Sequence, residues 1–440
     1  MTRPVGSHDD VRTTAAARIH GLVPGSGLAL EDFLQRVPDC PSCPVLDFAA
    51  SGAMWLTGDA DGPPIAPEAP VMAHVRAMCA GISLLAERIG NPVNVDAHQV
   101  VSQRAGYRGF RRQGSTSANG SCRLVPGDVA WLAVSLPRRT DLDLLPAAVG
   151  SRAGDDPWEA VRRAARRLSA PTLVEQAQLV GIAAAQLAAP DKSSGAAPFR
   201  MVPLGSAAQH QRGKPLVVID FSALWAGPLC ARVLGATGAS VIKVEDPSRP
   251  DAARVGDPRM FRMLHTGHRI VQSSFSTDEG VRRVRQLVEA ADVVVESSRP
   301  RALAQLGLSP EKFLSERPGR TWVSITGYGR SGARANYVAF GDDAAVSGGL
   351  VGWSGSRPVF CADAVADPLS GLFAAIGSLF SIAVGGGLLI DVSMSGACAF
   401  VCRGPACPAP HGVERDAAGG WYACHAGERQ LVVPPVRVPT

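Results

Sequence analysis

Two acidic stretches in the last third of the chain carry the most direct chemical possibilities. Asp367 sits in Ala366-Asp367-Pro368-Leu369-Ser370-Gly371, just ahead of a long uncharged run. An aspartate followed by proline suits the head of a helix, as N-cap and N1, where helix-terminal N–H groups orient a carboxylate or offset its charge. Asp367 therefore has two readings: a plain cap, or a carboxylate with a catalytic role. Asp342-Asp343 follow Phe340-Gly341 and read either as a solvated turn at a helix start or as part of a site. Tyr328 follows the apolar run 321–325, at the strand end where α/β sheets place ligands; it has a direct or a loop-shaping role. Cys40-Pro-Ser-Cys43 has no second pair at finger spacing, and Cys402, Cys407, His411, Cys424 and His425 match no common zinc pattern, so no metal site is assigned.

The elements that must position these residues are those of an α/β protein. Val217-Val218-Ile219 and Val241-Ile242-Lys243-Val244 are short apolar runs suited to strands buried on both faces. A crossover helix fits between them, opening at Ala226-Gly227-Pro228 and ending near Gly238. No G-x-G-x-x-G follows the first strand, which counts against an ordinary dinucleotide fold. Residues 368–390 contain no charge and are long enough to span a bilayer. Gly385-Gly386-Gly387 breaks that run, which predicts a buried helix followed by a strand over 388–392.

Composition sets the class. A chain of 440 residues with 46% hydrophobic and 19% charged residues is globular, with room for two or three domains. A net charge of +5 with dispersed arginines excludes nucleic acid as the main partner, while scattered cations can still meet an acidic ligand. Ten cysteines are too sparse for a disulfide scaffold and imply reduced thiols in a cytoplasmic protein. The first twenty residues contain no apolar core of a secretory signal, and no membrane partner is expected.

Along the chain, residues 1–44 read as a polar lead, 45–200 as a degenerate repeat plus a small α+β domain, and 201–213 as a linker. Residues 214–400 read as the parallel-sheet domain, and 401–440 as a tail with closing strands. Within 122–134, two short strands flank Pro126-Gly127-Asp128, and helical spacing follows over 158–168 and 173–187. The segment LDFAASGAMWLTGDADGPPIAP, the helical run 71–89 and NPVNVD parallel AFGDDAAVSGGLVGWSGSRPVF, the run 369–383 and LLIDVS. Pro63 with Pro358, and Asp96 with Asp391, share one separation, which marks an internal repeat.

DFSALWAGPLCARVLGATGASVIKVEDP resembles the opening motif of the class III CoA-transferases, a family that includes the α-methylacyl-CoA racemases. MLHTGHRIV, ADVVVESSRP, LGLSPEKFLSERPGRTWVSITGYGRSG, ADAVADPLSGLFAAIGSL and LLIDVSMSGA follow in the family's order. The resemblance implies a Rossmann-like CoA-binding domain of that family's type with a second, smaller α+β domain, here displaced ahead of the first strand. It implies Asp367 as the nucleophile and Leu224, Trp225, Ala226, His268, Arg269, Ser297 and Ser298 as CoA contacts. Acyl-CoA and a carboxylic acid are the implied substrates, CoA being substrate and not a resident cofactor, and the family's interlocked dimers imply a homodimer. His268 stands where the family has lysine, Ser297-Ser298 replace Asn-Phe, and Asp246 stands where some members carry arginine, which weakens the expected nucleotide contacts. Asp342 replaces the histidine of the racemase branch, which favours transfer over racemisation. A racemase of 2-methylacyl-CoA and a CoA-ester binder without turnover remain the alternatives. Met72, in the place of Asp367 within the first repeat, cannot serve as nucleophile.

Overall fold

A computed structural model of the chain describes residues 8–22, 29–39, 41, 43–152, 154–188, 197–210, 213–255, 258–403 and 411–436. Cys40, Cys407 and residues 211–212 of the linker lie outside the described residues. Five helices come first: α1 (His8–Gly21), α2 (Leu30–Arg36), α3 (Pro44–Ala50), the long α4 (Val71–Arg88) and α5 (Ala97–Arg108). Strands β1 (Cys122–Pro126), β2 (Trp131–Ser135) and β3 (Ala183–Gln186) form a small antiparallel sheet, with α6 (Arg139–Val149), α7 (Pro157–Arg167) and α8 (Ala170–Leu179) inserted before β3. Next come β4 (Phe199–Pro203), β5 (Val217–Asp220), α9 (Ala226–Ala236), β6 (Ser240–Glu245), α10 (Pro258–His265), β7 (Arg269–Gln272), α11 (Asp278–Ala290) and β8 (Val293–Glu296). They lead through α12 (Pro300–Ala304) and α13 (Pro310–Glu316) to β9 (Thr321–Thr326) and α14 (Gly341–Ser347). The hairpin β10 (Val351–Ser354) and β11 (Arg357–Phe360), then α15 (Ala366–Ala383), β12 (Leu388–Ser393) and α16 (Met394–Cys402) follow. A second antiparallel sheet, β13 (Gly412–Arg415), β14 (Trp421–His425) and β15 (Glu428–Leu431), closes the fold.

The main sheet has seven strands in the order β4-β12-β9-β8-β5-β6-β7. All neighbours run parallel except β4, which lies antiparallel to β12 at one edge. Strand alternation sorts the side chains. Val218, Val293, Val295 and Val323 meet α9 and α15, whereas Ile219, Val294 and Trp322 meet the side holding α11 and α13. Helix α15 is long and apolar enough to cross a membrane by length and composition, but 94% of it is buried within the protein, between α9 on one side and α4 on the other. Gly385, Gly386 and Gly387 all adopt φ near +80° to +93° and turn the chain into β12, as a helix followed by a strand requires.

Two segments differ from their sequence pattern. Residues 8–21 form α1, whose Val11, Ala15 and Ile19 recur every fourth residue and are buried in the core that also holds α4; small alanines mask this stripe in a polar segment. The helical spacing over 173–187 stops at α8, because Gly181 takes φ +83° and Ala183–Gln186 pairs with β2. A run of alanines carries helix propensity, but an open strand edge overrides it.

The contact of α9 with α15 brings the first crossover helix to the carboxyl-bearing one. A Cβ on Gly371 would lie 2.7 Å from the Ala226 carbonyl oxygen and 2.9 Å from a Leu229 methyl, so only glycine allows this approach. Gly371→Ala is expected to destabilise the fold by about 1–3 kcal/mol through overpacking. Gly412→Ala, with no atom within 4 Å of the added methyl, should leave stability within about 0.5 kcal/mol. Urea unfolding of the two variants measures the contrast.

Candidate active site

Strand order reverses between β5 and β8: β6 and β7 lie to one side, β8, β9 and β12 to the other. Ligand crevices of open parallel sheets lie at such a reversal, outside the carboxyl ends of the strands. The loops leaving β5 and β8 meet there, the Ala223 amide donating to Ser297 Oγ at 3.2 Å. Leu224 takes φ +69°, a left-handed conformation that costs a non-glycine residue on the order of 1 kcal/mol or more. Its amide donates to Asp251 Oδ1 at 3.0 Å, and the other Asp251 oxygen faces the buried Lys243 ammonium at 3.2 Å. Lys243 also donates to the Ser222 carbonyl. A buried ion pair thus underpins the strained turn.

Beside this crevice Asp363, Asp342 and Asp367 share the field of one guanidinium, and Asp343 adjoins Asp342. Arg104, from α5, donates to both oxygens of Asp363, at 2.8 and 2.5 Å, a bidentate geometry that fixes orientation as well as charge. The same guanidinium lies 5.0 Å from the Trp225 ring centre, joining the carboxyls to the loop after β5. Asp342, Asp343 and Asp363 are buried, while Asp367, at the start of α15, keeps partial exposure. Burial pushes Asp367 up to about 7; Arg104 opposes this, and the charges of Asp342 and Asp363 add to it. Burial, then Asp363, raises Asp342 to about 6, and burial raises Asp343 to about 7. Against its own burial, Arg104 is held charged chiefly by Asp363.

The backbone that presents these groups is strained and tightly braced. Ala362 and Ala364 both have positive φ, +57° and +45°. The Ala362 amide donates to Thr57 Oγ1 at 2.8 Å and the Ala364 amide to Asp342 Oδ1 at 3.0 Å. Asn119 Nδ2 approaches the other Asp342 oxygen at 3.4 Å, and Ser135 Oγ donates to Asp343 Oδ1 at 2.7 Å. A Cβ on Gly341 would come within 2.5 Å of Asp367 Oδ2, so glycine there gives the carboxyl its place. Thr57, Arg104, Asn119 and Ser135 all come from the first third of the chain.

Of the residues singled out from sequence, Leu224, Trp225, Ala226, Ser297 and Ser298 gather at the reversal point. Trp225 is buried, with 2% exposure, under Arg104, so its ring packs within the protein. Ser298 donates to the buried Glu296. His268 and Arg269 stand apart, at the N-terminal end of β7, where His268 Nδ1 lies 3.2 Å from His265 Nδ1 and burial lowers the His268 imidazole to about 4. Tyr328 packs edge-on against Tyr337 with Arg334 over its ring. Asp342 and Asp343 are buried members of the cluster and not a solvated turn. Among the described residues no group of three or more His, Cys, Asp or Glu is arranged to hold a metal ion, and Cys79, Cys122, Cys230, Cys361, Cys398, Cys402 and Cys424 are free thiols. A cavity of about 220 Å³ opens between α5, α9 and α10 beside Trp225, lined by Gln99, Gln103, Leu229 and Arg232. A further cavity, of about 780 Å³, lies at the opposite ends of α4 and α15, near Arg88 and Gly385.

Arg104 and Asp363 escape sequence reasoning. Arg104 lies outside every quoted motif, and Asp363 lies inside one, four residues before Asp367, where the paired Ala-Asp steps of ADAVADP are the only local signal.

Residues 214–436 match the family model described as CoA-transferase family III. Succinyl-CoA–D-citramalate CoA-transferase of Chloroflexus aurantiacus is 28% identical over 191 residues, 40% of this chain and 48% of that protein. Formyl-CoA:oxalate CoA-transferase of Escherichia coli is 30% identical over 200 residues, 42% of this chain and 48% of that protein. A CAIB/BAIF family protein from Brucella suis has a solved structure similar to 49% of this chain and 66% of its own, with 26% identity and a TM-score of 0.42. The chain spans about half the length of the curated relatives it matches.

The raised carboxyls make stability depend on pH. In the unfolded chain they titrate near 3.8; folded, Asp342 titrates near 6 and Asp343 and Asp367 near 7. The folded state therefore binds extra protons between these values, and the stability they confer is full below about pH 4 and lost as pH rises through 6–7. Asp343 Oδ2 is buried without a partner, so Asp343→Asn replaces the protonated acid by a neutral group of like shape. Thermal midpoints measured from pH 5 to 8 should fall with rising pH in the parent and fall less steeply, by about one proton's worth, in the variant.

Proposed function

The chain belongs to CoA-transferase family III, and from that premise we propose that it moves CoA from an acyl-CoA thioester to a carboxylic acid, with Asp367 as the nucleophile. The observation that carries this reading is Asp367, a partly exposed residue set beside Arg104 and the reversal-point loops, with its carboxyl pKa pushed up to about 7 by burial. A carboxylate of raised basicity is a stronger nucleophile and is still substantially ionised at neutral pH.

The steps balance. The Asp367 carboxylate attacks the thioester carbonyl, the C–S bond breaks, and an acyl-aspartyl anhydride and CoA thiolate form. The thiolate attacks the aspartyl carbonyl of the anhydride, releasing the donor's carboxylate and leaving an aspartyl-CoA thioester. An acceptor carboxylate repeats the sequence in reverse, ending as a new acyl-CoA with Asp367 free. In each direction Arg104 stays paired with Asp363, and its remaining field favours the ionised form of Asp367. Gly341, with no side chain against Asp367 Oδ2, lets the carboxyl keep its place. Leu224, Ala226, Ser297 and Ser298 are the positions at the crevice available to the CoA moiety.

A second reading, α-proton exchange on a 2-methylacyl-CoA, is favoured by one observation: Asp342 and Asp367 interact and titrate at about 6 and about 7, values suited to proton transfer. Deuterium entering the α-carbon without any acceptor acid supports that reading, and its absence counts against it.

Asp367→Asn is expected to lower CoA transfer about 10³-fold or more across a panel of donor thioesters and acceptor acids, while leaving CoA binding measurable by calorimetry. Full transfer by the variant overturns the nucleophile, and no CoA binding by the parent at millimolar concentration overturns both enzymatic readings. The transfer rate of the parent should rise with pH through about 7 as Asp367 ionises. Arg104→Gln should move that midpoint upward, and Arg104→Lys should restore part of the shift.

A further inference from the structure

The internal repeat is realised in three dimensions, and the two copies face each other. Helices α4 and α15 each have 18 residues, begin and end 295 residues apart, and pack together. One hydrogen bond and two close approaches bring a residue to its own counterpart at that separation. Ser354 Oγ donates to Asp59 Oδ2 at 2.7 Å. A Cβ on Gly352 would lie 3.1 Å from the Thr57 methyl, and one on Gly81 would lie 3.8 Å from Ile376 Cδ1. A residue touching its own copy is the mark of a twofold axis, here an approximate one within a single chain.

The flanking sheets obey the same relation. The sheet that follows the first copy, β1-β2-β3, packs through β2 and β3 on α14 of the second copy; the sheet that follows the second copy, β13-β14-β15, packs through β14 and β15 on α3 of the first. Their hydrogen bonds correspond one by one. Leu187 donates to the Trp131 carbonyl and Val432 to the Trp421 carbonyl, both at 2.8 Å. Ala188 then donates to Val346 of the opposite copy at 3.3 Å, and Val433 to Ala49 of the opposite copy at 3.0 Å. The exchange is reciprocal, as across an isologous interface.

We infer that the first copy is a built-in, chemically silent partner, which pairs with the second copy inside the same chain and completes its carboxyl site. The first copy, with the sheet that follows it, supplies Thr57, Arg104, Asn119 and Ser135 to the site around Asp367. The counterpart of Asp367 is the buried Met72, so the pair holds one carboxyl site instead of two. The surface formed by α4, α15 and the β10–β11 hairpin is filled within the chain, and no second copy is needed to cover it. This inference concerns pairing and does not rest on the transfer chemistry.

A cross-linking experiment decides it without an activity readout. In the Asp59→Cys, Ser354→Cys double variant, a short bis-maleimide should join the two positions within one chain of 45.8 kDa, identified by peptide mass spectrometry over a wide range of protein concentration. Coexpressed single variants with different tags, one Asp59→Cys and the other Ser354→Cys, should give no link between chains at these positions. An inter-chain 59–354 link in the mixture, or no 59–354 link in the double variant, overturns the proposal. Both positions are partly exposed, and circular dichroism and the thermal midpoint verify that each variant is folded.

Discussion

One guanidinium facing three buried or half-buried carboxyls, Asp363, Asp342 and Asp367, sets the terms for everything around it. Arg104 neutralises Asp363 through two short hydrogen bonds, and a single positive charge has little left for Asp342, Asp343 and Asp367. Moving further charge out of water costs several kcal/mol per ion, so those three carboxyls keep their protons to unusually high pH. The cluster is therefore poised near neutrality by scarcity of cations.

Holding such a cluster together demands rigid support, and the structure concentrates both strain and bracing there. Leu224, Ala362 and Ala364 are three of the four non-glycine residues with positive φ among the described residues, and all three border the site. Each of their amides has a side-chain acceptor: Asp251, Thr57 and Asp342. Left-handed conformations persist only where surroundings over-determine them. Here the surroundings are a buried Lys243–Asp251 pair on one side and the first third of the chain on the other. The close approach of α9 to α15 at Gly371, and of Asp367 to Gly341, removes the slack that would let the loops relax.

The parallel sheet was legible because its signals are local. Val217–Ile219 and Val241–Val244 are apolar runs, Gly238 takes the left-handed φ of +90° expected after a crossover helix, and the triple glycine separates α15 from β12. Pro368 and the apolar run after it placed Asp367 at the head of α15, but the N-cap is Val365 and Asp367 lies within the first turn, so the expected cap at Asp367 with Pro368 at N1 is not formed. Arg104 was not legible, since its meaning comes from partners 259 residues away, and no periodicity in α5 marks it. The grouping of Leu224 with Ser297 follows from strand order, which sequence motifs suggest only by family likeness. His268 shows the converse: a motif position can be read from sequence while its setting, beside His265 at the other end of a strand, depends on where a short helix enters the sheet.

The two copies also show how a duplicated unit comes to be used on one side only. Gly371 lets α9 approach α15 to backbone contact, and its counterpart 295 residues earlier in α4 is Arg76. Burial works against ionisation of Asp47, but bonds from His98 and Arg76, the latter as short as 2.7 Å, hold its carboxyl below the ordinary range. That ion pair and a polar cavity of about 440 Å³, lined by Arg36, Arg76, Ser83 and His98, occupy the face of α4 that corresponds to the seat of α9. A helix with the apolar sequence of α9 cannot dock on a buried salt bridge without stranding its charges. Glycine at 371 and arginine at 76 thus suit α15, and not α4, to carry α9, and the first copy stands beside the site as the source of Arg104.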